Sequence, residues 1–204
     1  MAGEETWPQI VAEAVCRSTG CPPERLRTLG SVVRLAVELL HEGREGHSVG
    51  TLLVVGDAAE VIRHSRQLIL DPLAGHDPSL RQIDDASFRE TAKELAQLDG
   101  AFIIDDGGTC VSAARFIEVD VDAAAGLPAG LGARHAAALS ISGRADAVGV
   151  AVSESSLVRV FAMGELRAEI APASFGRERA FAIADAVFHE IAGTGLTMAL
   201  AEPS

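Results

Sequence analysis

The chain has little that would bind a polyanion, cross a membrane or staple a fold. Only 17 of its 204 residues are Lys or Arg, against 29 Asp and Glu, for a formal charge of -12 and a pI near 4.9. Nucleic-acid binding rests on many cationic contacts to phosphate, so this balance disfavours DNA and RNA as partners. It leaves nucleotides open, because a few cationic side chains, backbone N–H groups and a divalent cation hold one triphosphate. Apolar runs such as Thr51 to Val55 fall far short of the roughly 20 residues of a spanning helix, so no membrane association is expected. The first residues carry Glu4, Glu5 and Glu13 in place of a basic start and an apolar stretch, which predicts a cytoplasmic protein. Cys16, Cys21 and Cys110 are odd in number and lack metal-site spacing, which predicts three ordinary thiols and neither a disulfide framework nor a zinc site.

What is present suffices for a sizeable core, with 48% hydrophobic and 23% charged residues. Trp7, Ile10, Val11 and Val15 read as the packed side of a first helix, and Val32, Val33, Leu35, Ala36, Leu39 and Leu40 recur at helical spacing over 29–40. Val49 to Asp57 is an apolar, β-rich run bounded by glycines, the pattern of a buried strand. Helices are expected over 58–70, 88–98, 133–141 and 180–191, and strands over 101–104, 110–114, 147–153, 157–161 and 165–170. Asp106-Gly107 and Met163-Gly164 mark hairpin turns. The expected fold is α/β, a mixed central β-sheet flanked by helices, because the strands alternate with helices yet include hairpins. It is expected as a single domain over 29–192, with a helical N-terminal extension over 1–28 and a C-terminal tail over 193–204.

The phosphate-binding fingerprints of P-loop and dinucleotide folds are absent. Two short segments carry chemistry instead. Asp99-Gly100-Ala101 puts a carboxylate beside backbone that admits close approach, and Gly132-Ala133-Arg134-His135 puts cationic side chains at a helix start, where orphan N–H groups favour anions. Each has a plain structural alternative: Asp99-Gly100 as a helix end and turn, Arg134 and His135 as an exposed Arg and a satisfied His. Ser153-Glu154 at a strand end also serves ordinary turn chemistry. Asp105-Asp106 reads as a hairpin turn before a metal cluster, and His41, His47, His64, His76 and His189 share no metal spacing.

Taken together, the two segments resemble the diadenylate cyclase family, whose signatures are an Asp-Gly-Ala triplet and, about thirty residues later, Gly-Thr-Arg-His-Arg. The resemblance extends to Glu45 through Asp57, to Ser65-Arg66-Gln67-Leu68-Ile69-Leu70 and to Val152-Ser153-Glu154-Ser155, and so spans roughly residues 30–170. It looks most like the compact stand-alone members. It implies that two protomers meet face to face, each holding one ATP, and that each 3′-OH attacks the partner's α-phosphate to give cyclic di-AMP and two pyrophosphates. By the same resemblance Asp99, Arg134 and His135 are catalytic. Asp99 and Glu154 bind Mg²⁺ or Mn²⁺, while Gly100, Ala101, Gly132, Ala133 and Ser153 line the nucleotide, and Phe116 and Ile117 line the adenine pocket. Self-association as a homodimer or higher homo-oligomer follows. Ala133 and Ala136 stand where the family has Thr and a second Arg, so a second reading stays open: a nucleotide-binding sensor with weakened or lost turnover.

Overall fold

A computed structural model describes residues 7–42, 49–120, 122, 127, 131–175, 181–183 and 185–202. Glu45 to Ser48, His47 among them, and most of the glycine-rich stretch before Gly132 lie outside the described residues. Two helices open the chain, α1 (Trp7–Thr19) and α2 (Pro23–Glu42). There follow β1 (Thr51–Gly56), α3 (Ala58–Arg63), β2 (Ser65–Gln67), α4 (Ala86–Leu95), β3 (Ala101–Asp105) and β4 (Cys110–Ile117). The second half comprises α5 (Ala133–Arg144), β5 (Ala147–Ser153), β6 (Leu157–Ala162), β7 (Glu165–Pro172), β8 (Ala186–Ile191) and β9 (Leu196–Ala201).

Among the described residues the strands form one sheet of nine, in the order β2-β4-β3-β1-β5-β6-β7-β9-β8. β1 and β3 are parallel and the remaining pairs antiparallel, so the sheet is mixed, as expected. Period-two alternation sends Leu53 and Val55 of β1 into a core with α1, α2 and α4, and Leu52 and Val54 into a second core with α3 and α5. All six β1 residues are buried, which explains the apolar run Leu52 to Val55. Gly149 of β5 lets α5 sit close, since a Cβ there would meet the Ala138 Cβ at 2.9 Å. No helix among the described residues is long and apolar enough to cross a membrane.

Five expectations change. The helix expected over 58–70 stops at Arg63, because the chain pairs as β2 with Phe116 and its neighbours in β4. The helix expected over 180–191 is, at its described end, the edge strand β8, and the tail expected over 193–204 contains β9. Gly193 and Gly195, both at positive φ, turn the chain between them, and pairing across that hairpin overrides an Ala-rich pattern that reads as helical. α2 starts at Pro23 and runs without a break past residue 28. Cys16 and Cys21 are not ordinary thiols: they form a disulfide, with Cα atoms 4.9 Å apart. Gly20, at φ +71°, ends α1 by donating its N–H to the Cys16 carbonyl and swings Cys21 back over the last turn. Cys110 is a free, buried thiol, as expected.

Candidate functional site

The Leu52–Ala101 register of β1 and β3, together with the Thr51–Val152 register of β1 and β5, brings the starts of β1 and β3 to the same end of the sheet as the finish of β5. A cavity of about 660 Å³ opens there. It is lined by all eleven residues singled out above: Asp99, Gly100, Ala101, Phe116, Ile117, Gly132, Ala133, Arg134, His135, Ser153 and Glu154.

One wall is the turn between α4 and β3. Gly100 has φ +112°, and a Cβ there would lie 2.6 Å from the Ala114 carbonyl carbon, so only glycine fits. Ala114 is itself at positive φ, in a bulge where β4 carries one residue more than β3. Gln67 and Asp71 brace that bulge. The Gln67 amide donates to the Ala113 carbonyl at 2.6 Å, and the Asp71 carboxylate accepts from the Ser112 hydroxyl at 2.5 Å. Asp99 sits just before the glycine, exposed, and its carboxylate has no hydrogen-bond partner among the described residues.

The opposite wall is the start of α5. Gly132 caps the helix without a side chain, so no cap side chain claims the Ala133 and Arg134 N–H groups, while the His135 N–H donates to the Gly132 carbonyl at 3.0 Å. The Arg134 guanidinium donates to the Glu154 carboxylate at 3.0 Å, with side chains 38% and 63% exposed, so water reaches both partners. Gly50 makes room for the pair: a Cβ there would lie 2.9 Å from Arg134 Cζ and 3.1 Å from Glu154 Cγ. Ser153 and Ser155 share a hydroxyl contact of 2.7 Å beside it.

His135 differs from its neighbour. It is buried, its Nε2 lies 3.2 Å from an Arg159 guanidinium nitrogen, and Phe161 meets its ring edge-on. Burial, with Arg159 and Arg134 nearby, pushes its pKa down to about 4. It is therefore an uncharged imidazole at neutral pH. Phe116 is 41% exposed, with the Arg66 guanidinium 4.6 Å above its ring, and Ile117 is buried.

Sequence reasoning missed Arg115, which lines the cavity and donates to the Ser65 hydroxyl at 2.8 Å and the Gln67 side-chain oxygen at 3.0 Å. It also missed the apolar lining by Leu52, Leu68, Val119, Ala137 and Val152. The Ser65-to-Leu70 segment was the available signal, because it carries both of those oxygens. The Asp105-Asp106 turn is structural: Asp105 accepts from the Thr109 N–H at 2.8 Å, and Asp106 is paired with Arg25.

The described residues contain no group of three His, Cys, Asp or Glu side chains able to hold a metal. Asp99 and Glu154 nevertheless put two carboxylates on one cavity. That donor set fits Mg²⁺ or Mn²⁺, which one or two carboxylates hold when substrate phosphates and water complete the shell.

Residues 40–166 match the family described as DisA bacterial checkpoint controller nucleotide-binding. The chain is similar to a diadenylate cyclase of Methanocaldococcus jannaschii, 49% identical over 147 residues, covering 72% of this chain and 46% of that protein. It is also similar to a diadenylate cyclase of Haloferax volcanii, 39% identical over 145 residues, covering 71% and 52%. The chain thus spans about half the length of these curated relatives. Among solved structures, a DacA double mutant from Staphylococcus aureus is 23% identical with a TM-score of 0.47, over 69% of this chain and 85% of that one.

Proposed function

Since the chain belongs to the DisA bacterial checkpoint controller nucleotide-binding family, we propose that it is a diadenylate cyclase, joining two ATP into cyclic di-AMP with release of two pyrophosphates. The observation that carries this reading is one cavity lined by Asp99, by Arg134 and His135, and by Ser153 and Glu154, three segments far apart in sequence. Its volume suits one nucleotide.

The adenine lies against Phe116 and Ile117, with Gly100 and Ala101 admitting the ribose and phosphates to close backbone approach. Arg134 and the uncapped Ala133 and Arg134 N–H groups at the start of α5 hold phosphate oxygens and offset charge gathering on the leaving pyrophosphate. The His135 N–H adds a neutral donor. When ATP enters, Arg134 trades Glu154 for phosphate, and Glu154 becomes free to join Asp99. A Mg²⁺ or Mn²⁺ held by those two carboxylates would make the 3′-OH more acidic and screen the α-phosphate. The 3′-oxygen, its proton passing to water, then bonds to phosphorus as the bond to the bridging oxygen of pyrophosphate breaks.

One cavity holds one ATP, so its 3′-OH must meet the α-phosphate of an ATP on a second copy. Exposed Ile69 and Leu70, next to the cavity-lining Leu68, support such a contact. Incubating the chain with ATP and either Mg²⁺ or Mn²⁺ and resolving products by mass tests the proposal. Cyclic di-AMP with two pyrophosphates per molecule is expected. Recovery of bound ATP unchanged would overturn the cyclase in favour of a sensor.

A further inference from the structure

Behind the cavity lies a chain of charged contacts that the proposed chemistry does not use. Arg159 on β6 and Glu169 on β7 are direct register partners. Their side chains meet at 2.7 Å and are 8% and 0% exposed. The other Glu169 oxygen accepts backbone N–H bonds from Ala182 at 2.6 Å and Ile183 at 3.1 Å. Both Glu169 oxygens therefore accept from donors on two sides, and Glu169 fixes the Arg159 guanidinium in turn. Glu169, Ala182 and Ile183 all lie beyond residue 166, where the family match ends.

Arg159 then points a guanidinium nitrogen at His135 Nε2. A guanidinium has donors only, so the imidazole must accept there, and Nε2 carries no proton. The ring proton of a neutral His135 sits on Nδ1. That nitrogen is buried and has no partner among the described residues. A buried donor without an acceptor is costly, and His135 lines the cavity, so a molecule filling the cavity can supply the acceptor.

We infer that Arg159, locked by Glu169, is a positioning residue that fixes His135 in the Nδ1–H tautomer and so readies a neutral donor for a phosphate oxygen of the nucleotide. The identity of the acceptor rests on the cyclase reading, whereas the tautomer does not. Through Glu169 the segment at 182–183 becomes a support of the site, although it contributes no residue to the cavity lining. Arg159 acts through His135 and touches no substrate itself.

The test uses the full chain labelled with ¹⁵N-histidine, its His135 signals identified by their loss in His135→Gln. Long-range ¹H–¹⁵N correlations should show Nδ1 protonated and Nε2 bare in the wild type, and an Nε2–H ring there would overturn the inference without any variant. Arg159→Met combined with Glu169→Gln removes both charges together and keeps an oxygen for the Ala182 and Ile183 N–H groups. In that variant, shown folded by its melting curve, the tautomer should move toward Nε2–H. The kcat for cyclic di-AMP should fall by roughly 10- to 100-fold with KM for ATP changed less than about 3-fold. Arg159→Lys, which retains a donor, should recover part of kcat. A folded double variant that keeps the Nδ1–H ring would also overturn the inference. Absence of cyclic di-AMP from the wild type would count against the cyclase reading alone, because the tautomer is read without turnover.

Discussion

Arg25 and Arg134, at opposite ends of the sheet, are held in opposite ways. At the end holding the β3–β4 turn, Arg25 of α2 is 3% exposed and donates through all three guanidinium nitrogens to Asp106 and Asp146. Both carboxylates are engaged by the one guanidinium, and Arg25 draws the Asp146 carboxyl below its ordinary pKa. At the cavity end Arg134 is half-exposed and makes one contact, to Glu154, while Asp99 makes none among the described residues. A buried guanidinium held by several bonds carries a large penalty for losing its counter-ions, although Asp146 itself is 78% exposed, and a hydrated single contact carries almost none. The first arrangement spends its charges on the fold. The second leaves them exchangeable for a ligand.

Removing Asp106 and Asp146 together, each to Ala, would leave Arg25 buried without a counter-ion. We expect a loss of about 3–5 kcal/mol in urea unfolding, and a loss under 1 kcal/mol would break the contrast. Arg25→Met removes the buried charge itself and leaves carboxylates that can turn to water, so it should cost less, about 2–3 kcal/mol. At the other end Arg134→Ala should leave unfolding within about 0.5 kcal/mol of wild type. Its ATP affinity and cyclisation rate should fall together, each on the order of 10-fold or more, because the proposed phosphate contact would be made in both ground and transition states. Titration calorimetry showing unchanged affinity would remove Arg134 from the site. Gly50→Ala crowds the Arg134–Glu154 pair without deleting it, so turnover should drop by roughly 3- to 10-fold, about 1 kcal/mol. A Gly50→Ala enzyme as slow as Arg134→Ala would indicate a backbone fault.

His135 sharpens the comparison through pH. Unfolded, it takes up a proton near its usual 6.5; folded, it does so only near 4. Between those values the unfolded chain binds more protons, so stability falls as pH falls, with a slope of up to ~1.4 kcal/mol per pH unit from this residue. The contribution is fully present above pH 6.5. His135→Gln should flatten that part of the stability profile, and an unchanged slope would show the imidazole to be hydrated.

The fold was legible where local pattern and tertiary demand agree. The apolar runs Leu52 to Val55 of β1 and Ala147 to Val152 of β5 arise because both their faces are covered, and the Asp106-Gly107 turn of the β3–β4 hairpin announces itself in sequence. β8 was not legible, because its Ala-rich approach fits a helix until pairing with β9 decides otherwise. The Cys16–Cys21 bridge was hidden for a related reason: an odd cysteine count argues against a framework but says nothing of one local link across a Gly20 turn. In the site, the two short motifs marked the walls, whereas Arg115 and Arg159 come from neighbouring strands whose register no local spacing reveals.

The most direct test of the division between fold charges and ligand charges is Asp99→Asn, which keeps size and loses the charge a cation needs. Initial rates of cyclic di-AMP formation at saturating ATP and fixed free Mg²⁺, taken with melting curves of the same samples, should show product abolished and melting temperature unchanged. Product formed at near wild-type rate, or activity lost only because Asp99→Asn unfolds, would contradict the account.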